Sequence, residues 1–191
     1  GRTIMTNALN DPLLLIGKIF CIFLQAVMAL ATIALGIAIP VIIFAQGTIQ
    51  AEIAKELPGM TEQFPGLLIA AIMAIGLAIV AMLFVFFGKL RRIIGTVGEG
   101  DPFQPQNATR LSQMGWLMLG TQLVVIPAGF IVMQLANYAD AIEKAGAKDF
   151  SLTFDDGGFD MTALLLTVIL FILARVFRHG AAMREDLEGT V

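Results

Sequence analysis

Residues 19–51 read IFCIFLQAVMALATIALGIAIPVIIFAQGTIQA and contain no charged side chain. At a helical rise of about 1.5 Å per residue, about 20 residues already cross the apolar core of a bilayer. The whole chain agrees with this pattern, since 58% of its residues are hydrophobic and 14% are charged. Soluble domains carry about 25% charged residues. We therefore predict that this stretch crosses a membrane.

Three further apolar runs are long enough to cross a bilayer. The predicted spans lie at about 13–46, 65–88, 109–138 and 161–178. The fourth is free of charge only from Met161 to Ala174, but arginines at its end can extend it by snorkelling. We expect Asn107 and Asp160 to cap the third and fourth helices, and Gly180 to break the fourth before a polar tail. The fold class is an all-α integral membrane protein, a single domain over residues 1–191 with a bundle of four transmembrane helices.

Lysine and arginine are distributed unevenly between the two sides of this bundle. Three of them, Lys55, Lys144 and Lys148, fall on one side. The other nine are Arg2, Lys18, Lys89, Arg91, Arg92, Arg110, Arg175, Arg178 and Arg184. Because basic loops stay in the cytoplasm, we predict that both termini are inside, in the inner membrane of a bacterium.

Smaller features complete the predicted architecture. Ile49, Ile53 and Leu57 recur at helical spacing and predict a short helix on the membrane surface. Alternation around an Asp-Gly pair in 150–159 predicts a small turn or hairpin. Ala70, Ala74 and Ala78 form a small-residue stripe that we expect to face another helix of the same chain. Residues 1–4 are expected to be a vector remnant ahead of a native start at Met5.

The chain has few side chains that could take part in catalysis or bind a metal. The chain has one cysteine, Cys21, one histidine, His179, and a net charge of −3. No nucleophile–base pair and no Cys/His metal site can be assembled, so we predict no enzyme activity and no cofactor. The net charge argues against direct nucleic-acid binding. Asp155, Asp156 and Asp160 are read either as a cation site or as turn and cap chemistry.

Four amides are the most polar groups within or beside the spans: Gln25, Gln122, Gln134 and Asn137. They can bind helices to one another, or they can line a polar path. The second reading gives an alternative function, a small transporter or channel subunit that forms homo-oligomers. A third reading is an immunity or accessory subunit of a larger membrane complex.

Two stretches resemble known signatures. GDPFQPQNATRL, residues 100–111, resembles a G-x-P-F pattern followed by N-x-x-R-L, and LARVFRHGAAMREDLEGTV, residues 173–191, resembles a second pattern that ends in T-V. With four spans, they resemble a bacterial family called domain of unknown function twenty-nine seventy-five. Genes of that family often lie beside a small Xre-type helix-turn-helix regulator. The resemblance therefore implies a membrane protein that holds or releases such a regulator. Met183 departs mildly from the pattern, which favours a leucine-like residue.

We expect the 99–110 loop and the 178–191 tail to lie close together and to form one cytoplasmic surface. The candidate partner-binding residues are Glu99, Asp101, Phe103, Arg110, Arg184, Glu185, Asp186 and Glu188. Their acidic members could attract a basic partner, and Phe103 would be the apolar anchor. The alternative is that these are ordinary solvated residues and that Phe103 packs against the chain's own helices. Our leading hypothesis is a non-enzymatic membrane protein that binds a protein partner on this surface.

Overall fold

The computed structural model describes residues 12–146 and 160–189, and every regular element within them is a helix. The order is α1 (Pro12–Glu56), α2 (Gly66–Gly98), α3 (Pro105–Lys144) and α4 (Met161–Glu188). Each helix is long and apolar enough to cross a membrane, which confirms the predicted all-α fold with four spans. The helices are longer than the predicted spans, because helical backbone continues past the apolar segments. The expected hairpin in 150–159 and the expected remnant at 1–4 lie outside the described residues.

The longest helix, α1, carries the charge-free stretch and continues without interruption through Pro40 to Glu56. The segment that was predicted to be a separate surface helix is therefore the last part of α1. The prediction of helix there was right, but the prediction that this helix is separate was wrong. No turn residue separates it from the apolar stretch, so the intrahelical hydrogen bonds simply continue. Large apolar side chains such as Phe20 and Phe44 are exposed along α1, as lipid contact requires.

The described chain forms two compact units. The first contains residues 12–30, 81–122 and 161–189. Its buried apolar cluster comes from α2, α3 and α4 and consists of Phe86, Ile93, Leu111, Met114, Leu170 and Ala174. Close packing of this cluster fixes the ends of α2 and α3 against α4, which is where the candidate site is built.

The second unit contains residues 31–80, 123–146 and 160. The Phe64 ring stands edge-on to Tyr138, with 6.4 Å between ring centroids. The backbone amide of Phe64 donates to Gln50, so the chain between α1 and α2 is tied to both α1 and α3. Asp160 immediately precedes α4, in the cap position that the sequence predicted for it.

The alanine stripe of α2 does not face a helix along its whole length. Ala70 is buried, Ala78 is half-buried, and Ala74 is exposed. A repeat of four residues advances about 40° around an α-helix at each step, so the stripe winds off the packed face. The prediction that all three alanines pack against another helix of this chain was therefore wrong for Ala74.

Candidate functional site at the junction of α2, α3 and α4

The loop between α2 and α3 begins with a defined helix stop. Gly100 has a φ of +81°, the left-handed conformation that favours glycine. Its amide donates to the Val97 carbonyl at 3.0 Å, and the Asp101 amide donates to the Thr96 carbonyl at 3.0 Å. This pair of bonds is a Schellman motif, which satisfies carbonyls at the end of α2 and turns the chain sharply. The end of α2 is therefore an ordered helix cap.

Asn107 is the polar centre of the junction and is fully buried. Its amide nitrogen donates to the Thr96 hydroxyl at 2.6 Å and to the Pro102 carbonyl at 2.9 Å. Its amide oxygen accepts from Arg110 at 2.8 Å. Asn107 was predicted to cap α3, but α3 begins two residues earlier. That prediction was wrong, because the buried Asn107 side chain donates to the end of α2 and to the loop and accepts from Arg110 of α3, and does not cap the first turn.

Phe103 packs on the C-terminal part of α4. Its ring centroid lies 5.4 Å from that of Phe177. A Cβ atom placed on Gly180 would lie 2.6 Å from the Phe103 ring, so only glycine leaves room for this contact. Gly180 was expected to break α4, yet the helix continues to Glu188. The expectation was wrong because this glycine receives an aromatic ring, and its backbone stays helical.

An ion pair closes the junction from the other side. Arg184 of α4 donates to one oxygen of the Asp101 carboxylate. Gln104 donates to the other oxygen at 3.1 Å. With Phe103 on Gly180, this pair confirms the predicted proximity of the loop and the start of the tail. Both carboxylate oxygens of Asp101 have partners, so this residue organises the surface.

The other predicted partner-binding residues fall into two groups. Arg110 donates to Asn107 and Gln106 and belongs to the internal network of the loop. The exposed acidic residues are Glu99, just after α2, and Glu185 and Asp186 on α4. The backbone of Glu188 ends α4, but its side chain lies outside the described structure.

A small polar pocket of about 240 Å³ lies between the loop and α4, lined in part by Asp101, Phe103, Arg184 and Glu185. The pocket offers carboxylate, guanidinium and aromatic surface to a docking partner. Within the described residues, no group of three or more His, Cys, Asp or Glu side chains is arranged to hold a metal ion. Asp155 and Asp156, two of the three carboxylates in the alternative cation reading, lie outside the described residues.

The sequence reasoning missed two apolar residues on the last turns of α4. Met183 and Leu187 are 53% and 72% exposed on α4. They are four residues apart and therefore lie on one face of the helix. Helical spacing of apolar residues in the tail would have indicated this pair. The tail was not expected to be helical, because the sequence predicted that α4 ends at Gly180.

The amides in the spans act locally. Gln25 donates to the Phe84 carbonyl at 3.3 Å, which joins α1 to α2 in the first unit. Gln122 is buried in the same unit. Gln134 and Asn137 belong to the second unit and are exposed. The contact made by Gln25 supports the reading in which these residues bind helices together.

Comparison with known proteins places the chain in a family. No curated protein and no solved structure matches it. A family model described as "Protein of unknown function (DUF2975)" matches residues 49–191, about three quarters of the chain. The match includes α2, α3 and α4 entirely, together with the junction described above. The chain, with its four helices long and apolar enough to cross a membrane, therefore belongs to the DUF2975 family, whose function is unknown.

Proposed function

We propose that the end of α4 is a docking site for a protein partner, and that the chain is a non-enzymatic protein of the bacterial inner membrane. The observation that carries this proposal is the exposed apolar pair Met183 and Leu187 on a helix that continues past the apolar span. Met183 and Leu187 lie nine and thirteen residues past Ala174, where the charge-free run ends, and an exposed apolar patch marks an interaction site. Glu185 and Asp186 lie in the same helical turns and are exposed.

The chemistry of the surface selects a basic partner. Carboxylates beside an apolar strip favour encounter with a positively charged protein. Small DNA-binding proteins are basic, which fits the helix-turn-helix regulators implied by the family resemblance. The excess of lysine and arginine on this side of the predicted spans favours a cytoplasmic position for this end of α4, where such a regulator would be. The proposed activity is therefore to hold a regulator at the membrane and to release it.

The junction favours docking because it holds α4 in place beforehand. The Asp101–Arg184 ion pair and the seat of Phe103 on Gly180 fix the helix against the α2–α3 loop. A partner then meets a surface that is already ordered, so less conformational entropy is lost on binding.

A photo-crosslinking residue at Glu185 tests this proposal in native membranes. We expect an adduct with a basic DNA-binding protein, and none from the same residue at Glu52, which is exposed in the second unit. The double substitution Met183→Ser and Leu187→Ser should abolish the adduct without loss of membrane insertion. Equal adducts at Glu185 and Glu52, or an adduct that survives the double substitution, would refute the docking site. An adduct with a protein that does not bind DNA would keep the docking site and refute only the proposal that the partner is a regulator.

Deletion of residues 184–191 gives an independent test. We expect the truncated chain to insert and fold, since the buried cluster ends at Ala174, but to lose its co-purifying partner. Retention of every partner by the truncated chain would exclude the tail as the binding element.

A further inference from the structure

A groove in the first unit lies on the other side of Phe103. Its volume is about 1130 Å³, and Phe103, Phe171, Arg175, Arg178 and Ala182 are among its lining residues. The four α4 residues in this set follow one another at intervals of four, three and four, so they lie on one face of the helix. Along that face the lining side chains change from the aromatic Phe171 to the cationic Arg175 and Arg178, and then to the small Ala182.

The two arginines lie where a membrane helix leaves the apolar core. The charge-free part of α4, Met161 to Ala174, is about 21 Å long at the helical rise, whereas the hydrocarbon core is about 30 Å thick. Arg175 and Arg178 are therefore drawn toward the interface, at the depth of the lipid phosphates, because a charge left in the hydrocarbon core is costly. Within residues 12–146 and 160–189, neither guanidinium makes an ion pair with a carboxylate.

We infer that this groove binds one anionic phospholipid, with its phosphate on Arg175 and Arg178 and an acyl chain along Phe171. The charge of the groove complements a phosphodiester, and guanidinium groups recognise phosphate by paired hydrogen bonds. Basic pockets between transmembrane helices are typical sites for anionic headgroups. The apolar part of the groove continues toward the core of the bilayer, where an acyl chain already lies. A soluble anion would leave that part uncovered.

Trp116 gives a direct readout because it is the single tryptophan of the chain. Its ring stands edge-on to Phe171 with 5.4 Å between centroids, and it is 63% exposed. Bromine atoms on the acyl chain of a bound lipid would therefore quench its fluorescence. The probes are phosphatidylcholine vesicles doped with brominated phosphatidylglycerol or, as the reference, with brominated phosphatidylcholine. We expect stronger quenching by the anionic lipid at equal mole fraction.

Paired substitutions locate the site. Arg175→Gln with Arg178→Gln should lower the preference for the anionic lipid about 10- to 30-fold, since each basic residue near the surface contributes about fivefold. Quenching by the zwitterionic lipid should stay unchanged, which shows that the variant is folded. Arg91→Gln with Arg92→Gln removes the same charge from α2, away from the groove, and should keep the preference. An equal loss in both variants, or no preference in the wild-type protein, would overturn the proposal.

Two further arms separate rival explanations. Lys89 lies beside Trp116 in a neighbouring groove, so Lys89→Gln must leave the preference intact; loss of the preference in this variant would overturn the assignment. Inorganic phosphate should not relieve quenching, and full relief would indicate a site for a free anion. Native mass spectrometry of the wild-type protein needs no substitution. Retention of one phosphatidylglycerol under conditions that strip phosphatidylcholine supports the site, and equal retention of both lipids refutes it.

Discussion

The contact between Phe103 and Gly180 predicts an unusual response to a single methyl group. The substitution Gly180→Ala would place a Cβ atom 2.6 Å from Cδ1 and 2.9 Å from Cε1 of the Phe103 ring. Both distances are too short for carbon atoms, so the ring or the helix must move. Elsewhere in a helix the same substitution is favourable, because alanine loses less backbone entropy than glycine on folding.

The two effects can be weighed against each other. Overpacking typically costs about 1–3 kcal/mol. The better helix propensity of alanine offsets about 0.5–1 kcal/mol of that cost. We therefore expect Gly180→Ala to lower the free energy of unfolding by up to about 2.5 kcal/mol, and in no case to raise it. When Phe103→Ala has already removed the ring, Gly180→Ala should instead stabilise the protein by about 0.5–1 kcal/mol.

Unfolding in mixed detergent and dodecyl sulfate micelles, followed by circular dichroism, would measure these four proteins as a double-mutant cycle. Gly95→Ala in α2 is the matched control, because a Cβ atom there would meet nothing within 4 Å. The control should be stabilised in both backgrounds. If Gly180→Ala stabilises the protein even when Phe103 is present, the ring is not seated on the glycine and the account of the junction is wrong.

Three other predictions follow from the structure. Asn107→Ala should lower the free energy of unfolding by about 1–3 kcal/mol, because it removes three hydrogen bonds of a fully buried side chain to half-buried partners. A smaller loss in the same unfolding assay would show that water replaces the side chain. Ala70→Leu should lower the melting temperature in detergent through overpacking, whereas Ala74→Leu should leave it nearly unchanged; the reverse order would mean that Ala74 is the packed residue. Single cysteines in 52–62 should react with a membrane-impermeant thiol reagent in intact cells and those in 95–107 should not, and the opposite labelling pattern would invert the topology.

The four spans could be predicted from the sequence because the length of each charge-free run decides whether it can cross a membrane. A charge-free run either is or is not long enough to cross the hydrocarbon core, and 19–51 clearly is. The ends of the helices could not be predicted in this way. The apolar pattern of α2 stops at Gly88, but the helix continues to Gly98 because buried residues such as Ile93 pack beyond the span.

The candidate site could be predicted only in outline. That the loop and the tail meet follows from topology, since both leave the bundle on one side. The roles of Gly180 and Asn107 could not be predicted, because glycine suits a helix end or a close contact, and asparagine suits a cap or a buried network. Only the tertiary partner decides between these roles. Since Asp101 and Asn107 of the loop bond within the chain, their presence in the signature by itself implies no partner.

Phe103 forms part of the wall of two cavities, the polar pocket beside Asp101 and the groove beside Arg175. One aromatic ring thus lines both the polar pocket and the groove proposed for a lipid. Any occupant that displaces the ring from Gly180 changes the shape of both cavities at once. Thermodynamic linkage then requires reciprocity: if filling one cavity alters affinity at the other by some factor, the converse holds with the same factor. The composition of the surrounding membrane would thereby become an effector of whatever docks on α4.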